Sequence, residues 1–192
     1  MKQIVGILLA AGSSRRFGAD KRLHRLADGT PMALASARRL AEACHRTIVV
    51  LRPGDTALAG LMSAEGMATV VCNEAAKGMG HSLSCGIAAS ANADGWLVAL
   101  ADMPYIEATS YHAVLAALQS GASLARPAFQ GKIGHPVGFS AKYLPELLAL
   151  TGDQGGKAIL DAHREDLQLC PVADPGVLKD IDQLSQLVAS EG

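Results

Sequence analysis

The sequence predicts an α/β protein, a single domain built on a doubly wound, mostly parallel sheet with a small hairpin excursion in its second half. Three observations carry this. Residues 4–9, 47–51 and 96–101 are short runs, apolar apart from Thr47, the pattern of strands covered on both faces. Apolar-periodic segments of helical length separate them, the rhythm of strand–helix–strand units. That rhythm breaks at 125–139, where Pro127, Gly131, Gly134, Pro136 and Gly138 crowd together and favour an irregular hairpin over another crossover.

The elements follow in order. Residues 4–9 form the first strand and lead into a Gly/Ser/Arg turn. Pro31 opens a helix running to about Ala43, and TIVVL at 47–51 is the second strand, closed by Arg-Pro-Gly-Asp. A weaker helix is expected at 56–65, a short strand at 69–72 and a helix at 82–91. The strand 96–101 ends on Asp102-Met103-Pro104, and a helix follows at 107–119. Beyond the hairpin, helices are expected at 142–150 and 156–163, a last strand at 167–170 and a closing helix at 184–189. There is no internal repeat and no linker-like tract, so all 192 residues are assigned to one domain.

Bulk properties exclude several classes. Seventeen basic and 18 acidic residues leave a net charge of −1, which offers neither nucleic acid nor an anionic membrane an attractive surface. Cys44, Cys72, Cys85 and Cys170 are scattered without a Cys-x-x-Cys pair, as expected of free thiols in a reducing cytosol. The apolar start is too short for a membrane span and ends in a polar turn without a cleavage region, so a cytoplasmic protein is expected.

In such sheets ligands collect beyond the carboxyl ends of the strands. That draws attention to the segment Leu9-Ala10-Ala11-Gly12-Ser13-Ser14-Arg15-Arg16-Phe17-Gly18-Ala19-Asp20-Lys21, to 73–82, and to Asp102. Small residues let backbone N–H groups approach phosphate oxygens, and Arg16 and Lys21 add mobile cations. The segment lacks the Gly-Lys-Ser/Thr ending of a P-loop and the Gly-x-Gly-x-x-Gly of a dinucleotide fold. On composition alone an ordinary Gly/Ser turn with solvated arginines fits equally well. Asp102, before Met-Pro, reads either as a helix cap or as a ligand for Mg²⁺.

The pattern Leu-Ala-Ala-Gly-x-Ser-x-Arg-Phe-Gly-x-x-Lys resembles the signature of the sugar-nucleotide and cofactor nucleotidyltransferases, and is most similar to the molybdenum cofactor cytidylyltransferases. Further matches are spread along the chain. Asn73-Glu74 with Gly78-Met79-Gly80-His81-Ser82-Leu83 and Gly86 resembles the segment that grips base and ribose. Leu100-Ala101-Asp102-Met103-Pro104 resembles the metal-aspartate motif, and Gly131-Lys132-Ile133-Gly134-His135-Pro136-Val137 the acceptor signature. Gly152-Asp153-Gln154-Gly155-Gly156-Lys157 and Lys179-Asp180-Ile181-Asp182 resemble two later motifs, although Gln183-Leu184-Ser185-Gln186 replaces a Thr-Pro-Glu-Asp ending.

The resemblance implies a Rossmann-like nucleotidyltransferase fold, with residues 1–105 mainly on the nucleotide and 106–192 mainly on the acceptor. It implies Mg²⁺-dependent transfer of CMP from CTP to the terminal phosphate of molybdopterin. Leu9, Ala10, Ala11, Gly12, Ser13, Ser14, Asn73, Gly78, Met79 and Ser82 would hold the nucleotide. Arg16, Lys21 and Asp102 would act in catalysis. Asp102 with Asp182, and Asp180 in reserve, would hold the metal. Gly134, His135, Pro136 and Asp153 would meet the acceptor, although a lone His before Pro is also a common packing residue. The finished cofactor would pass to a xanthine-dehydrogenase-like molybdoenzyme or its chaperone. The guanylyl-transferring relatives carry Ala-Gly-Gly where this chain has Ala10-Ala11-Gly12, and one methyl favours a pyrimidine by roughly 1–3 kcal/mol.

Three other functions remain in view. They are transfer to another phosphorylated acceptor or of GMP from GTP, an NAD(P)-dependent oxidoreductase, and a non-catalytic cofactor-delivery protein. The missing dinucleotide fingerprint counts against the second, and two retained acids with two retained cations against the third.

Overall fold

The computed structural model describes residues 1–12 and 20–182. The expected closing helix at 184–189 lies outside them, as do Ser13, Ser14 and Arg16.

The strands are β1 (Ile4–Leu9), β2 (Thr47–Leu51), β3 (Ala68–Val71), β4 (Gly95–Leu100), β5 (Leu124–Phe129), β6 (Lys132–Ile133), β7 (Val137–Ser140) and β8 (Leu167–Pro171). The helices are α1 (Met32–Ala43), α2 (Thr56–Ala64), α3 (Met79–Ala88), α4 (Ala108–Gln119), α5 (Leu144–Leu148) and α6 (Lys157–Ala162). The strands form one sheet in the order β3-β2-β1-β4-β7-β5-β6, with β8 on β5. Pairs β1–β2, β1–β4, β2–β3 and β5–β8 are parallel, and β7 enters antiparallel between β4 and β5.

Side-chain alternation explains the two covered faces. In β1, Ile4 and Leu8 join a core with Ala37 and Leu40 of α1 and with Tyr111 and Val114 of α4. Val5 and Ile7 join the opposite core with Leu83 and Ile87 of α3, Leu147 of α5 and Ile159 of α6. An unbroken apolar run was the right signal because both faces need it. Trp96, fully buried, donates its Nε1–H to Ser90 Oγ at 3.0 Å.

Two expected helices are corrected. The helix placed at 82–91 is Met79–Ala88. Gly78, at φ +130°, starts it, and Gly80 fits its first turn because a Cβ there would stand 2.5 Å from Thr151 O. The helix placed at 142–150 shrinks to Leu144–Leu148 behind a 3-10 turn at Ala141–Tyr143. Proline at the start of that helix lacks the N–H that would join the two into one ladder.

The 125–139 stretch is the hairpin excursion the sequence implied. β6 and β7 are two halves of one strand, and the pairing to β5 slips by two residues between Ala125↔Gly138 and Ala128↔Ile133. Gly134, His135 and Pro136 fill the slip, where Pro136 has no N–H for a ladder. No helix among the described residues is long and apolar enough to cross a membrane.

Candidate functional site

From β1 the chain turns through α1 to β2, and β4 enters on the other side of β1, so the two central strands leave their neighbours in opposite directions. Ligand crevices open at such a switch point, beyond the carboxyl ends of the strands. A cleft of about 710 Å³ lies there, within the size range of small-molecule sites. Leu9, Ala10, Ala11, Gly12, Lys21, Asn73, Gly78, Met79, Ser82, Asp102 and Asp153 all border it. Thus every described residue expected to hold the nucleotide borders one cavity, and Asp153 joins them from the second half of the chain.

The near wall is backbone. Ala10 N–H donates to Val50 O at 3.0 Å and Ala101 N–H to Leu9 O at 3.2 Å, carrying the parallel ladder just past the strand ends. Ala10 and Ala11 are buried, their methyls packed in the two opposite cores. Ala11 therefore presents mainly backbone to the cleft, and this corrects the expectation that its methyl narrows the space for a base: the methyl packs into the core. On the far wall Gly78 is squeezed against the 152–153 turn. A Cβ at Gly78 would lie 2.3 Å from Gly152 O, in a backbone region that only glycine adopts readily.

At the mouth, Lys21 stands between two acids. Its Nζ donates to Asp102 Oδ2 at 2.7 Å, to Asp182 Oδ1 at 3.2 Å and to Ile181 O at 3.0 Å. Ile181 N–H donates to Asp102 O at 2.9 Å, which clamps the distant end of the chain onto the β4 exit. Burial opposes the charge on Lys21, but the bonds to Asp102 and then Asp182 outweigh it and raise its pKa. Asp180, two residues before Asp182, is exposed. Among the described residues no three His, Cys, Asp or Glu side chains form a ready metal cage. Two carboxylates gathered on one cation nevertheless suit Mg²⁺, which usually takes one or two carboxylates and completes its shell with water and phosphate. The ammonium marks where positive charge is wanted.

Sequence reasoning missed the group that braces this edge. Arg22, 2 % exposed, donates to Ala10 O, to both oxygens of Asp55 and to both of Asp20. Arg52 adds bonds to Gly12 O, Asp55 and Asp20. The network ties both flanks of the Gly/Ser/Arg segment to the turn after β2. The Arg22 hydrogen bond lowers the Asp20 pKa; burial works against the ionised Asp55, and Arg22 overcomes it. An Asp before a helix reads as a cap, yet Asp55 makes no side-chain cap bond to α2.

Gly134, His135 and Pro136 do not border the cleft. His135 N–H donates to Val177 O at 2.9 Å, and a Cβ on Gly134 would stand 2.3 Å from that same oxygen. His135 Nδ1 is buried without a hydrogen-bond partner. Burial, aided by the Arg126 charge, pushes its pKa down to about 4. Arg126 in turn donates its Nε–H to Gly134 O at 3.0 Å. The segment thus packs against the turn Pro175–Leu178, from which the chain runs on to Asp182.

Known proteins place the chain in a family. The chain is 30% identical to the purine catabolism protein PucB of Bacillus subtilis, over 93% of this chain and 91% of that protein. It is 28% identical to the nicotine blue oxidoreductase of Paenarthrobacter nicotinovorans, over 96% and 94% respectively. Among solved structures, Rv0371c of Mycobacterium tuberculosis superposes with a TM-score of 0.85 at 26% identity, covering 98% of both chains. A manganese complex of Rv0371c superposes at 0.75, with 24% identity and coverage of 89% and 88%. The model of the MobA-like NTP transferase domain matches residues 6–167, and the chain belongs to that family.

Proposed function

We propose that this nucleotidyltransferase moves CMP from CTP to the terminal phosphate of molybdopterin and releases pyrophosphate. The observation that carries the reading is the convergence of Lys21, Asp102 and Asp182 at the mouth of a cleft walled by the Leu9–Gly12 backbone. An acceptor phosphate oxygen bonds to the α-phosphorus as the bond from that phosphorus to the oxygen of the β-phosphate breaks. A phosphate monoester has a second pKa of about 6 and is mostly dianionic at neutral pH, so no general base is needed. The protein's task is positioning and charge neutralisation.

Asp102 and Asp182 would hold Mg²⁺, which supplies charge to the triphosphate and the incoming phosphate. Lys21, with Arg16, would draw the departing pyrophosphate. Asn73, Gly78, Met79 and Ser82 would seat base and ribose against the 9–12 backbone, with Ser13 and Ser14 continuing that cradle. Asp153, which borders the cleft from the second half of the chain, would meet the acceptor. The manganese complex of Rv0371c supports divalent-metal use. The place of PucB in purine catabolism suits a xanthine-dehydrogenase-like recipient, since xanthine is a purine.

Pyrophosphate release is to be measured with CTP, GTP, ATP and UTP, each with Mg²⁺ and purified molybdopterin. Turnover that saturates with CTP supports the assignment; turnover with GTP alone moves it to guanylyl transfer, and none with any triphosphate overturns it. The name of the 28% identical relative favours testing a second reading, an oxidoreductase. Quenching of NAD(P)H fluorescence on titration, unaffected by Asp102→Asn, would support that reading.

A further inference from the structure

We propose that Lys21 is a displaceable resident cation, one that fills the carboxylate pair until a triphosphate draws it away, so that metal and nucleotide each strengthen the other's binding. The inference rests on the nucleotidyl-transfer reading above and concerns the order in which that site is filled.

A lysine ammonium has three N–H donors and no more. Lys21 uses all three, on Asp102 Oδ2, Ile181 O and Asp182 Oδ1. In this arrangement it has no donor left for a phosphate oxygen. Reaching the triphosphate therefore requires giving up at least one carboxylate. The converse also holds. A divalent ion approaching Asp102 and Asp182 meets a positive charge already between them, only 13 % exposed on its side chain and so weakly screened. Ion and ammonium compete for the same oxygens.

A triphosphate resolves the conflict by offering the ammonium a new anionic partner one side-chain swing away. As Lys21 moves to phosphate, Asp102 and Asp182 are left for the incoming ion, and neither acid is left without a cation. Since Ile181 N–H holds Asp102 O, the two acids stay together during the exchange. Coupling of this kind is reciprocal: nucleotide must strengthen metal binding by the factor with which metal strengthens nucleotide binding.

The test reads metal binding directly, by the electron paramagnetic resonance signal of unbound Mn²⁺, without nucleotide and then with the non-hydrolysable α,β-methylene analogue of CTP. In the absence of nucleotide, Lys21→Met should bind Mn²⁺ tighter than wild type by roughly tenfold or more, a typical coupling between linked sites. Lys21→Arg, which keeps a cation, should stay at the wild-type value. Adding Asp182→Asn to Lys21→Met should erase the gain. Unchanged or weaker nucleotide-free affinity in Lys21→Met, alongside wild type that takes Mn²⁺ with the analogue, overturns this inference alone. No Mn²⁺ bound by any of the proteins under either condition overturns the transferase reading with it. Circular dichroism melts confirm folding, and Lys21→Gln replaces Lys21→Met if that variant does not fold.

Discussion

The guanidinium of Arg22 forks onto the carboxylate of Asp55 with bonds of 2.5 and 2.7 Å, across 33 residues of sequence. With Asp20 on its other side and Ala10 O above, it is the joint between the first two strand exits. The Leu9–Gly12 backbone that borders the cleft keeps its place because this joint ties Ala10 and Asp20 to the turn after β2.

Arg22→Met should show the value of that joint. It leaves Asp55, whose side chain is 8 % exposed, without its main partner. Breaking one side of a buried pair costs about 3–5 kcal/mol. The Arg52 bonds to Asp55 place this case near the lower end. Urea denaturation at neutral pH measures the loss. A change below about 0.5 kcal/mol, the range of ordinary surface substitutions, would contradict the brace.

Much of the molecule was legible in the sequence, and the gaps have a common cause. Strands at 4–9, 47–51 and 96–101 are legible because burial on both faces leaves almost no polar position, Thr47 being the exception. That 9–12, much of 73–82 and Asp102 would border one cleft was legible because clefts open at the carboxyl edge of such a sheet. Arg22 was not. It looks like one more cation in Lys-Arg-Leu-His-Arg, and only a carboxylate from the turn after β2 makes it a core residue. His135 was assigned to the acceptor on its motif, whereas its neighbours tie it to the Pro175–Leu178 turn. Partners distant in sequence decide such side chains, and local pattern holds no record of them.

Asp174 is another such residue. Its buried carboxylate accepts from Glu107 N–H, Ser110 Oγ–H and Gly176 N–H, at 2.9, 2.8 and 2.7 Å. It caps α4 from outside that helix and fastens the segment leading to Asp182. Asp174→Ala strands two buried donors and one part-buried one, and should cost about 2–3 kcal/mol. The sharper readout is hydrogen exchange at Ile181, whose N–H donates to Asp102 O. Exchange there should quicken, while that of Val98 in β4 follows only the global loss. Equal slowing or quickening at both sites would mean that Asp174 does not hold the arm.

Gly78→Ala probes the far wall. A methyl would collide with Gly152 O, and φ +130° with ψ 170° is close to glycine-only territory. Strain of this sort costs about 1–3 kcal/mol. The two loops must part, moving Met79 and Asp153, which both border the cleft. Nucleotide affinity should therefore fall more than the melting temperature suggests. Calorimetric titration with CTP and Mg²⁺ on the folded variant checks it; unchanged affinity would remove Gly78 from the nucleotide wall.

His135 gives the fold a pH dependence of definite sign. Its ordinary pKa of 6.5 falls to about 4 in the folded protein, because burial and then the Arg126 charge disfavour the imidazolium. Between those values the unfolded chain takes up a proton that the native state refuses. Stability therefore declines as pH falls from 6.5 towards 4, and the penalty levels off below 4, where the native state is protonated too. At full slope one such proton is worth about 1.4 kcal/mol per pH unit. His135→Asn keeps a polar side chain of similar reach and cannot titrate. Urea denaturation of both proteins at intervals from pH 7 to 4 should show a shallower decline in the variant by close to that slope. Parallel curves would mean that His135 is protonated as easily in the fold as out of it, and that the slip between β6 and β7 is open to water.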